Sequence, residues 1–282
     1  MKIRLDSNLL ESLLTLATVI EARDAYTGGH TWRVSRYSEE LAKGFALSQD
    51  DVFVVRVGGL VHDIGKIGIP DAILNKPGPL TEEEFRAMRE HPGIGCSVIE
   101  NHPLFPLVFA AVAQHHKRPD GAGYPGQKSN EVLTIYGRIV AIADAFDAMT
   151  STRPYRKGME PSVAAAILQK NKSTQFDAAL VERFVSLLDA GKLTYILGHA
   201  NDSRLMLSCA MCGPIIAPSV ETKDGQTIQC PHCTGQYNVH AHGDSFVLEA
   251  TGIQTGVYTP RPDGDSVRSV LTDFRRSVHF AA

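Results

Sequence analysis

From residue 5 to about residue 190, apolar residues recur at three- or four-residue intervals, the pattern of amphipathic helices around a common core. Two predicted helix starts carry capping signals, with Ser48 before Asp51 and Thr81 before Glu84. Further helices are predicted at about residues 7–25, 30–46, 93–101, 105–116, 134–150, 161–170 and 177–189, the last ended by Gly191. The pattern predicts a mainly α fold that begins with a helical bundle.

The pattern changes near residue 200. Short apolar runs at 205–207, 215–216 and 246–248 are separated by Asp-Gly and Gly-Asp turn signals, which indicates a small β module. A last amphipathic helix is predicted at 265–279, where Val267, Val270, Leu271, Phe274 and Val278 share one face. We therefore predict three parts: a helical domain at 1–198, a β module at 199–258, and a linker with a docking helix at 259–282.

Composition narrows the class of protein. A chain of 282 residues that is 43% hydrophobic can bury a full core. Its net charge of -3 argues against a broad surface for nucleic acid or anionic membrane, since both need a strongly basic face. No apolar run is long enough to cross a bilayer and no signal-peptide pattern begins the chain. We expect a soluble, cytoplasmic protein.

Histidines and aspartates stand at the ends or on the apolar faces of the predicted helices. A single buried histidine is most simply a hydrogen-bonded core residue, but a buried aspartate needs charged partners. His91 is expected to end the helix that starts at Thr81, and the pair His115–His116 to end another. The full set predicts a metal centre for Fe, Mn or Zn. It comprises His30, His62, Asp63, His91, His115, His116 and Asp144.

Several runs then resemble the HD-GYP family, a branch of the HD phosphohydrolases. They are HDIGK at residues 62–66, HHKRPDGAGYP at 115–125, RD at 23–24, TGGH at 27–30, ADAFDA at 143–148 and RPYR at 153–156. The motifs occur in the family's order and cover about residues 5–190. The resemblance implies a metal-dependent phosphodiesterase that hydrolyses cyclic di-GMP to linear pGpG, and onward to GMP in many members.

The resemblance also implies how the metal ligands divide. One ion would be held by His30, His62, Asp63 and Asp144. The second would be held by Asp63, His91, His115 and His116, so that Asp63 bridges the two. Two such ions, Fe or Mn with Zn as the alternative, can activate a bridging water and hold a phosphoryl oxygen for in-line displacement.

The resemblance also implies that residues at other motif positions contact the substrate. Lys66 is expected to offset charge on the reacting phosphate, although a solvated surface lysine is the simpler alternative. Arg153 and Arg156 suit phosphate contacts and would share one face if their segment were helical. Tyr124 could stack on a base or simply pack, and Asp147 is expected to orient a ligand.

Two positions depart from the family pattern. Some members place a glutamate four residues before the first histidine, where it helps to hold a third metal, and this chain has Tyr26. We therefore expect two ions rather than three. The residue after the double histidine is usually glutamate and is Lys117 here, which changes the polarity of the loop without removing a ligand.

Four of the five cysteines form two CxxC pairs that resemble a zinc ribbon, namely Cys209, Cys212, Cys230 and Cys233. Four thiolates at this spacing satisfy one tetrahedral structural zinc. A redox pair, or a mixed site that uses His232, is the alternative. The fifth cysteine, Cys96, is most simply a core residue. The module could bind a protein partner, nucleic acid or another copy of the chain.

Two other functions stay open at this point. One is another HD phosphohydrolase reaction, on a mixed cyclic dinucleotide or a nucleotide phosphate. The other is a catalytically weak sensor of cyclic dinucleotides that signals through the C-terminal module. The complete ligand set together with Lys66 favours an enzyme, because a sensor does not need a metal-activated water.

Overall fold

The computed structural model describes residues 6–24, 28–126, 131–152, 156–243 and 245–276. Helices form most of the first part, which confirms the predicted mainly α class. They are α1 (Ser7–Glu21), α2 (His30–Gly44), α3 (Gln49–Val61), α4 (Asp71–Leu74), α5 (Glu82–Met88), α6 (His91–Ile99), α7 (Phe105–Gln114), α8 (Ile135–Thr150), α9 (Pro161–Lys170), α10 (Ala178–Asp189) and α11 (Gly264–Arg276). A 3-10 helix follows α3 at Ile64–Gly68.

The predicted helix boundaries differ from the structure at one functional position. The capping box of Thr81 and Glu84 is present at the start of α5. That helix, however, ends at Met88, and His91 begins α6 instead of ending α5. The prediction of a helix ending at His91 was wrong because Pro92 is tolerated in the first turn of a helix, where its missing N–H costs nothing.

The helical part has two apolar cores that share α3. In the first, Tyr37 and Phe184 both pack edge to face on Phe146, with ring centroids 5.3 and 4.9 Å away. Between α2 and α3, the Ser35 hydroxyl donates to the carbonyl of Arg56 at 2.7 Å. The helices run antiparallel, so the first residue of α2 lies beside the last turn of α3.

The second core joins the two ends of the chain. Apolar residues of α1 and α3 pack there with one face of α11, formed by Val267, Val270, Leu271 and Phe274. The ring of Phe274 lies 5.7 Å from that of Phe53. The predicted position Val278 lies outside the described residues. In the part of the chain that the structure describes, no helix is both long and apolar enough to cross a bilayer.

Between α10 and α11 the chain forms the predicted β module. Two small antiparallel pairs come first, β1 (His199–Asn201) with β2 (Arg204–Leu205) and β3 (Leu207–Cys209) with β4 (Gly213–Ile216). A three-stranded antiparallel sheet follows, in the order β5 (Thr227–Gln229), β6 (Gly235–His242) and β7 (Ser245–Gln254). The two CxxC pairs lie at the β3–β4 turn and between β5 and β6.

Candidate metal centre

Helix ends from four different helices converge on the middle of α8. His30 and His91 are the first residues of α2 and α6, while His62 and His115 cap the ends of α3 and α7. Asp144 projects toward them from within α8. The structure therefore brings together histidines that are up to 86 positions apart in the chain, His30 and His116.

The ligand atoms fall into two groups, and within each group they lie within 4.8 Å of one another. The first group is His30, His62 and Asp144. The second group is His91, His115 and His116. In each group two side chains are buried and one is partly exposed, so an ion bound there would still be accessible to solvent.

The Asp63 carboxylate lies between the two groups. Its Oδ2 is 3.4 Å from His62 Nε2 and 3.7 Å from His30 Nε2. Its Oδ1 is 3.4 Å from His91 Nε2 and 3.9 Å from His115 Nε2. Each carboxylate oxygen thus faces one group. Burial alone would raise the pKa of Asp63, but the charge of Lys66 holds it well below its usual range.

Gly65 fixes the distance between this carboxylate and the second group. A Cβ at Gly65 would lie 1.7 Å from the carbonyl oxygen of His91, so a residue with a side chain cannot occupy this position without a shift of the backbone. The close approach holds the 3-10 helix that follows Asp63 against the start of α6. The glycine of the HDIGK run is therefore a packing requirement of the centre.

Backbone carbonyls orient three of the histidines. His62 Nδ1 lies 2.8 Å from the carbonyl oxygen of Gly59, and His91 Nδ1 lies 2.8 Å from that of Met88. His115 Nδ1 lies 2.7 Å from the carbonyl oxygen of Ala111. A carbonyl can only accept, so each Nδ1 must carry the proton. Each Nε2 therefore turns a lone pair toward the centre, as metal-binding histidines do.

These lone pairs provide a test of whether the residues fit metal ions. His62 Nε2 is buried and has no hydrogen-bond donor. His91 Nε2 and His115 Nε2 lie 3.0 Å apart, although both are acceptors in the tautomers that the carbonyls impose. Unpaired lone pairs at such a distance are costly unless a cation lies between them. The donor set therefore fits divalent metal binding.

Burial lowers the pKa values of the histidines in the second group. The pKa of His116 falls to about 4 in spite of the nearby Asp144 carboxylate, and that of His115 falls well below its usual range. Burial also lowers the pKa of His91. All three are therefore neutral imidazoles, the form that binds metals. At His30, burial alone lowers the pKa, but hydrogen bonds to Asp147 and Asp63 raise it to about 10.

Asp147 and Arg33 form a buried support behind His30. Asp147 Oδ2 accepts from His30 Nδ1 at 2.8 Å, and Asp147 Oδ1 accepts from Arg33 Nε at 2.6 Å. Asp147 is 1% and Arg33 4% exposed. The sequence pointed to Asp147, whereas Arg33 was missed. Its position one turn after His30, on the buried face of α2, is the signal that could have found it.

Lys66 is held by two carboxylates. Its Nζ lies 2.9 Å from Asp63 Oδ2 and 2.9 Å from Asp24 Oδ2. Lys66 stands in the 3-10 helix that follows Asp63, beyond the end of α3. Arg23 supports the same turn, because its guanidinium donates to the carbonyl oxygen of Ile67 at 3.0 Å.

Of the predicted substrate residues, Tyr124 lies on the centre itself. Its ring is 4.6 Å from the ring of His116, at an interplanar angle of 30°. The Arg89 guanidinium lies 5.7 Å from the centroid of the Tyr124 ring and 4.3 Å from that of the Phe85 ring. Sequence analysis missed Arg89 and Phe85, which belong to α5 and its C-terminal cap and carry no family motif.

The predicted arginine pair lies only partly in the described chain. Arg156 follows the end of α8 in non-helical backbone and donates to the carbonyl of Ala148. The proposed shared helix face is therefore absent at Arg156. Arg153 lies outside the described residues, as does Tyr26.

Lys117 does not stand in a solvated loop. It is 9% exposed, and its ammonium contacts the carboxylate of Glu131. Gln114 lies beside the same carboxylate and accepts at 3.0 Å from the backbone N–H of Thr134. Lys117 thus ties the end of α7 to the segment that leads into α8.

The four cysteines form a separate cluster whose Sγ atoms lie within 4.8 Å of one another. Cys209 Sγ lies 3.0 Å from the hydroxyl of Tyr237. Burial alone raises the pKa of the Cys209 thiol, but the hydrogen bonds from Tyr237 and the backbone N–H of Met211 bring it down to about 7. A thiolate at neutral pH is the form that binds a metal. The cluster is therefore a second candidate metal site.

Known proteins with similar sequences support this description. The HD domain family model matches residues 15–180, which is more than half of the chain. A cyclic di-GMP phosphodiesterase of Vibrio cholerae is 36% identical over 208 residues, or 68% of this chain and 42% of that protein. The 3'3'-cGAMP-specific phosphodiesterase 3 of the same organism is 36% identical over 174 residues, or 61% of this chain and 38% of that protein. The chain spans less than half the length of these two relatives.

A solved structure shares the fold. The HDG"Y"P protein Bd1817 of Bdellovibrio bacteriovorus superposes with a TM-score of 0.50 at 20% identity, covering 59% of this chain and 53% of that one. The family match and the relatives also confirm the resemblance to HD-GYP proteins that the motifs indicated. The chain therefore belongs to the HD domain family.

Proposed function

We propose that this protein is a metal-dependent phosphodiesterase that hydrolyses a cyclic dinucleotide. The observation that carries the proposal is the position of Asp63, whose two carboxylate oxygens face two separate groups of metal-binding side chains. Two sites that share one carboxylate are the arrangement used to hydrolyse phosphate esters. Relatives that carry phosphodiesterase names support the same reaction.

The residues divide between two divalent ions in this proposal. His30, His62 and Asp144 hold one ion and His91, His115 and His116 the other, with Asp63 contributing one oxygen to each. Fe or Mn suits this mixture of nitrogen and oxygen donors, with Zn as the alternative. When bound, such a pair lowers the pKa of water and polarises a phosphoryl oxygen. A structural zinc in the four-cysteine cluster completes the expected metal content.

The chain's own residues prepare the site for a phosphodiester. Asp63 stays ionised, and Lys66 places a positive charge beside it that can move to the phosphate as negative charge develops. The Tyr124 ring covers His116 and offers a flat face to a base. Arg156 stands after α8 and is the remaining phosphate contact that we propose among the described residues, with Arg153 as its expected partner outside them.

Cyclic di-GMP is the substrate that we propose first, with linear pGpG as the product and GMP after a second cleavage. A mixed cyclic dinucleotide is the second candidate, because one relative named for 3'3'-cGAMP is as similar in sequence as the relative named for cyclic di-GMP. A catalytically weak sensor is the less favoured function, since none of the seven ligands has been replaced.

The direct test is turnover by chelated protein reloaded with Mn²⁺ or Fe²⁺. Cyclic di-GMP, 3'3'-cGAMP and cyclic di-AMP are supplied separately, and the linear products are separated by chromatography. Asp63→Asn should abolish hydrolysis and disturb both ions, whereas Asp50→Asn, exposed at the start of α3, should change neither. Failure of the wild-type protein to cleave any of the three, with both ions bound, would reject the enzyme and leave the sensor.

Metal analysis is an independent check. We expect two ions in the histidine and aspartate centre and one zinc in the cysteine cluster. A third fully occupied ion in the histidine and aspartate centre would contradict the expectation drawn from Tyr26. The division of the chain into parts at 1–198, 199–258 and 259–282 remains part of the proposal, as does a protein partner or self-association through the C-terminal module.

A further inference from the structure

The β module at 199–258 is here named the cysteine module after its four-cysteine cluster. It packs directly against the turn that leads into the metal centre. A Cβ at Gly29 would lie 2.8 Å from the carbonyl oxygen of Ala200 in β1, and a Cβ at Gly28 would lie 3.2 Å from the Cβ of Ala217 just after β4. Gly29 also has a φ of 69°, which glycine adopts at little cost. The next residue is His30, so the module contacts the turn that positions that histidine.

Arg33 connects the two parts by hydrogen bonds. Its Nη1 donates to the carbonyl of His199 in β1 at 2.9 Å and to the carbonyl of Gly28 at 3.1 Å. Its Nε and Nη2 donate to the two carboxylate oxygens of Asp147 at 2.6 and 3.1 Å. One buried guanidinium thus holds both a strand of the module and the carboxylate that orients His30.

The module in turn depends on its cysteines for its core. Its buried cluster contains Cys209, Cys212 and Cys230 together with a few apolar residues, among them Ile215 and Tyr237. Such a small core stabilises a fold weakly, and a metal bound to the thiols supplies most of the remaining free energy. We expect release of the ion to loosen β3 and β4, and the carbonyl oxygen of Ile215 in β4 lies 3.4 Å from a Cβ placed at Gly28.

We infer that the cysteine module is a metal-dependent support for the His30 side of the catalytic centre. With its ion bound, the module holds the His199 carbonyl on Arg33, and Arg33 and Asp147 then fix the ring of His30. Without that ion, the first metal site, which His30 forms with His62 and Asp144, binds its metal more weakly. The second site is spared, because the carbonyls of Met88 in α5 and Ala111 in α7 orient His91 and His115.

Arg33 is therefore a positioning residue that acts through Asp147, and the predicted effect falls on metal affinity. Loss of a hydrogen-bonded partner behind a ligating histidine typically costs about 10- to 100-fold in metal affinity. We expect a loss of that size at one of the two sites, and little change at the other. This inference needs the metal ligands proposed above but does not depend on the identity of the substrate.

The test is a titration with Mn²⁺ of the whole chain after chelation and return of one equivalent of Zn²⁺ to the cysteine cluster, monitored by electron paramagnetic resonance of the free ion. Ala200→Leu adds bulk at a buried residue of β1 whose backbone lies against Gly29, and it leaves every metal ligand in place. Arg33→Lys keeps the buried charge but cannot make the same bidentate contact with Asp147. Both variants should bind one Mn²⁺ as the wild type does and the second about 10- to 100-fold more weakly.

His240→Ala is the matched control, because His240 lies in the same module but is exposed and pairs only across the β6–β7 hairpin with Glu249. It should bind both ions normally. The same titration on Cys230→Ser protein, whose zinc is lost, should reproduce the Ala200→Leu result. Equal affinity of all variants at both sites, with their helical circular dichroism retained, would overturn the inference. A wild type that binds two ions but cleaves nothing would reject the proposed function alone.

Discussion

The ammonium of Lys66 lies 2.9 Å from Asp63 Oδ2, the same oxygen that faces His30 and His62. Burial alone lowers the pKa of Lys66, but Asp24 and Asp63 raise it well above its usual range, so the lysine stays charged. A charge held at this distance from the bridging carboxylate stands beside the place where a reacting phosphate would bind. The carboxylate of Asp24 keeps it there.

Replacement of Lys66 by methionine should slow turnover while both metal ions stay bound. The physical reason is that Lys66 contacts a ligand without being one, and one lost electrostatic contact with a transition state typically costs about 10²- to 10³-fold in rate. Steady-state kinetics beside metal analysis of the same samples measures both effects. Asp24→Asn, which removes only the second partner of the lysine, should have a smaller effect on turnover. Loss of metal from the Lys66→Met protein would contradict the assigned role.

Exchange of the two charges in the pair Lys117–Glu131 should show whether Glu131 compensates for the lysine at position 117, where the family usually has glutamate. Lys117→Glu alone sets two carboxylates against each other in a nearly buried position. We expect a loss of about 2 kcal/mol in the free energy of unfolding, below the roughly 3 to 5 kcal/mol of a fully buried pair, since Glu131 is partly exposed. Lys117→Glu with Glu131→Lys should recover much of this loss. A double-mutant cycle by chemical denaturation measures the coupling, and additive losses would exclude it.

Removal of the Arg89 guanidinium should weaken substrate binding rather than chemistry. Arg89 is exposed, stacks over Phe85 and Tyr124, and makes no ion pair among the described residues. An exposed cation–π contact is worth about 0.5 to 1 kcal/mol, so Arg89→Ala should raise KM about two- to fivefold with kcat unchanged. Arg86→Ala on the same helix, whose side chain reaches Glu83 instead, is the control. An equal rise of KM in both variants would show a general charge effect.

The sequence singled out side chains that the structure brings close together, because each predicted ligand stands where a helix begins or ends or on an apolar stripe. It failed on the boundary at His91, since Pro92 is compatible with both the end of one helix and the start of another. It did not specify the backbone at Lys66, because a 3-10 turn after α3 cannot be distinguished from a continued helix by periodicity over so few residues.

The contact between the module and the candidate metal centre could not be predicted from the sequence at all. Arg33 and His199 are 166 positions apart, and no local pattern links a buried arginine in a helix to a strand carbonyl so distant in the chain. The same holds for α11, whose apolar face was predicted but whose place in the core beside α1 was not. Pairings of this kind depend on tertiary packing, which periodicity does not encode.

The last prediction concerns pH and a carboxyl beside the centre. Glu21 accepts from the backbone N–H of Thr31 at 3.0 Å, and burial together with the nearby charge of Asp263 raises its pKa to about 7. The folded protein therefore binds a proton at Glu21 more tightly than the unfolded chain, whose ordinary value is 4.5. The stability that this proton contributes is fully present below pH 4.5 and is lost as the pH rises to about 7.

Glu21→Gln should remove that dependence, because the amide can occupy the same position without ionising. In chelated protein we expect the wild type to lose up to about 3 kcal/mol of unfolding free energy between these two pH values through Glu21. The Glu21→Gln variant should show a correspondingly flatter profile and be the more stable of the two at pH 8. Urea denaturation at a series of pH values measures both curves. Glu11→Gln, exposed on the same helix, should follow the wild type, and a Glu21→Gln profile parallel to it would show that Glu21 does not titrate in this range.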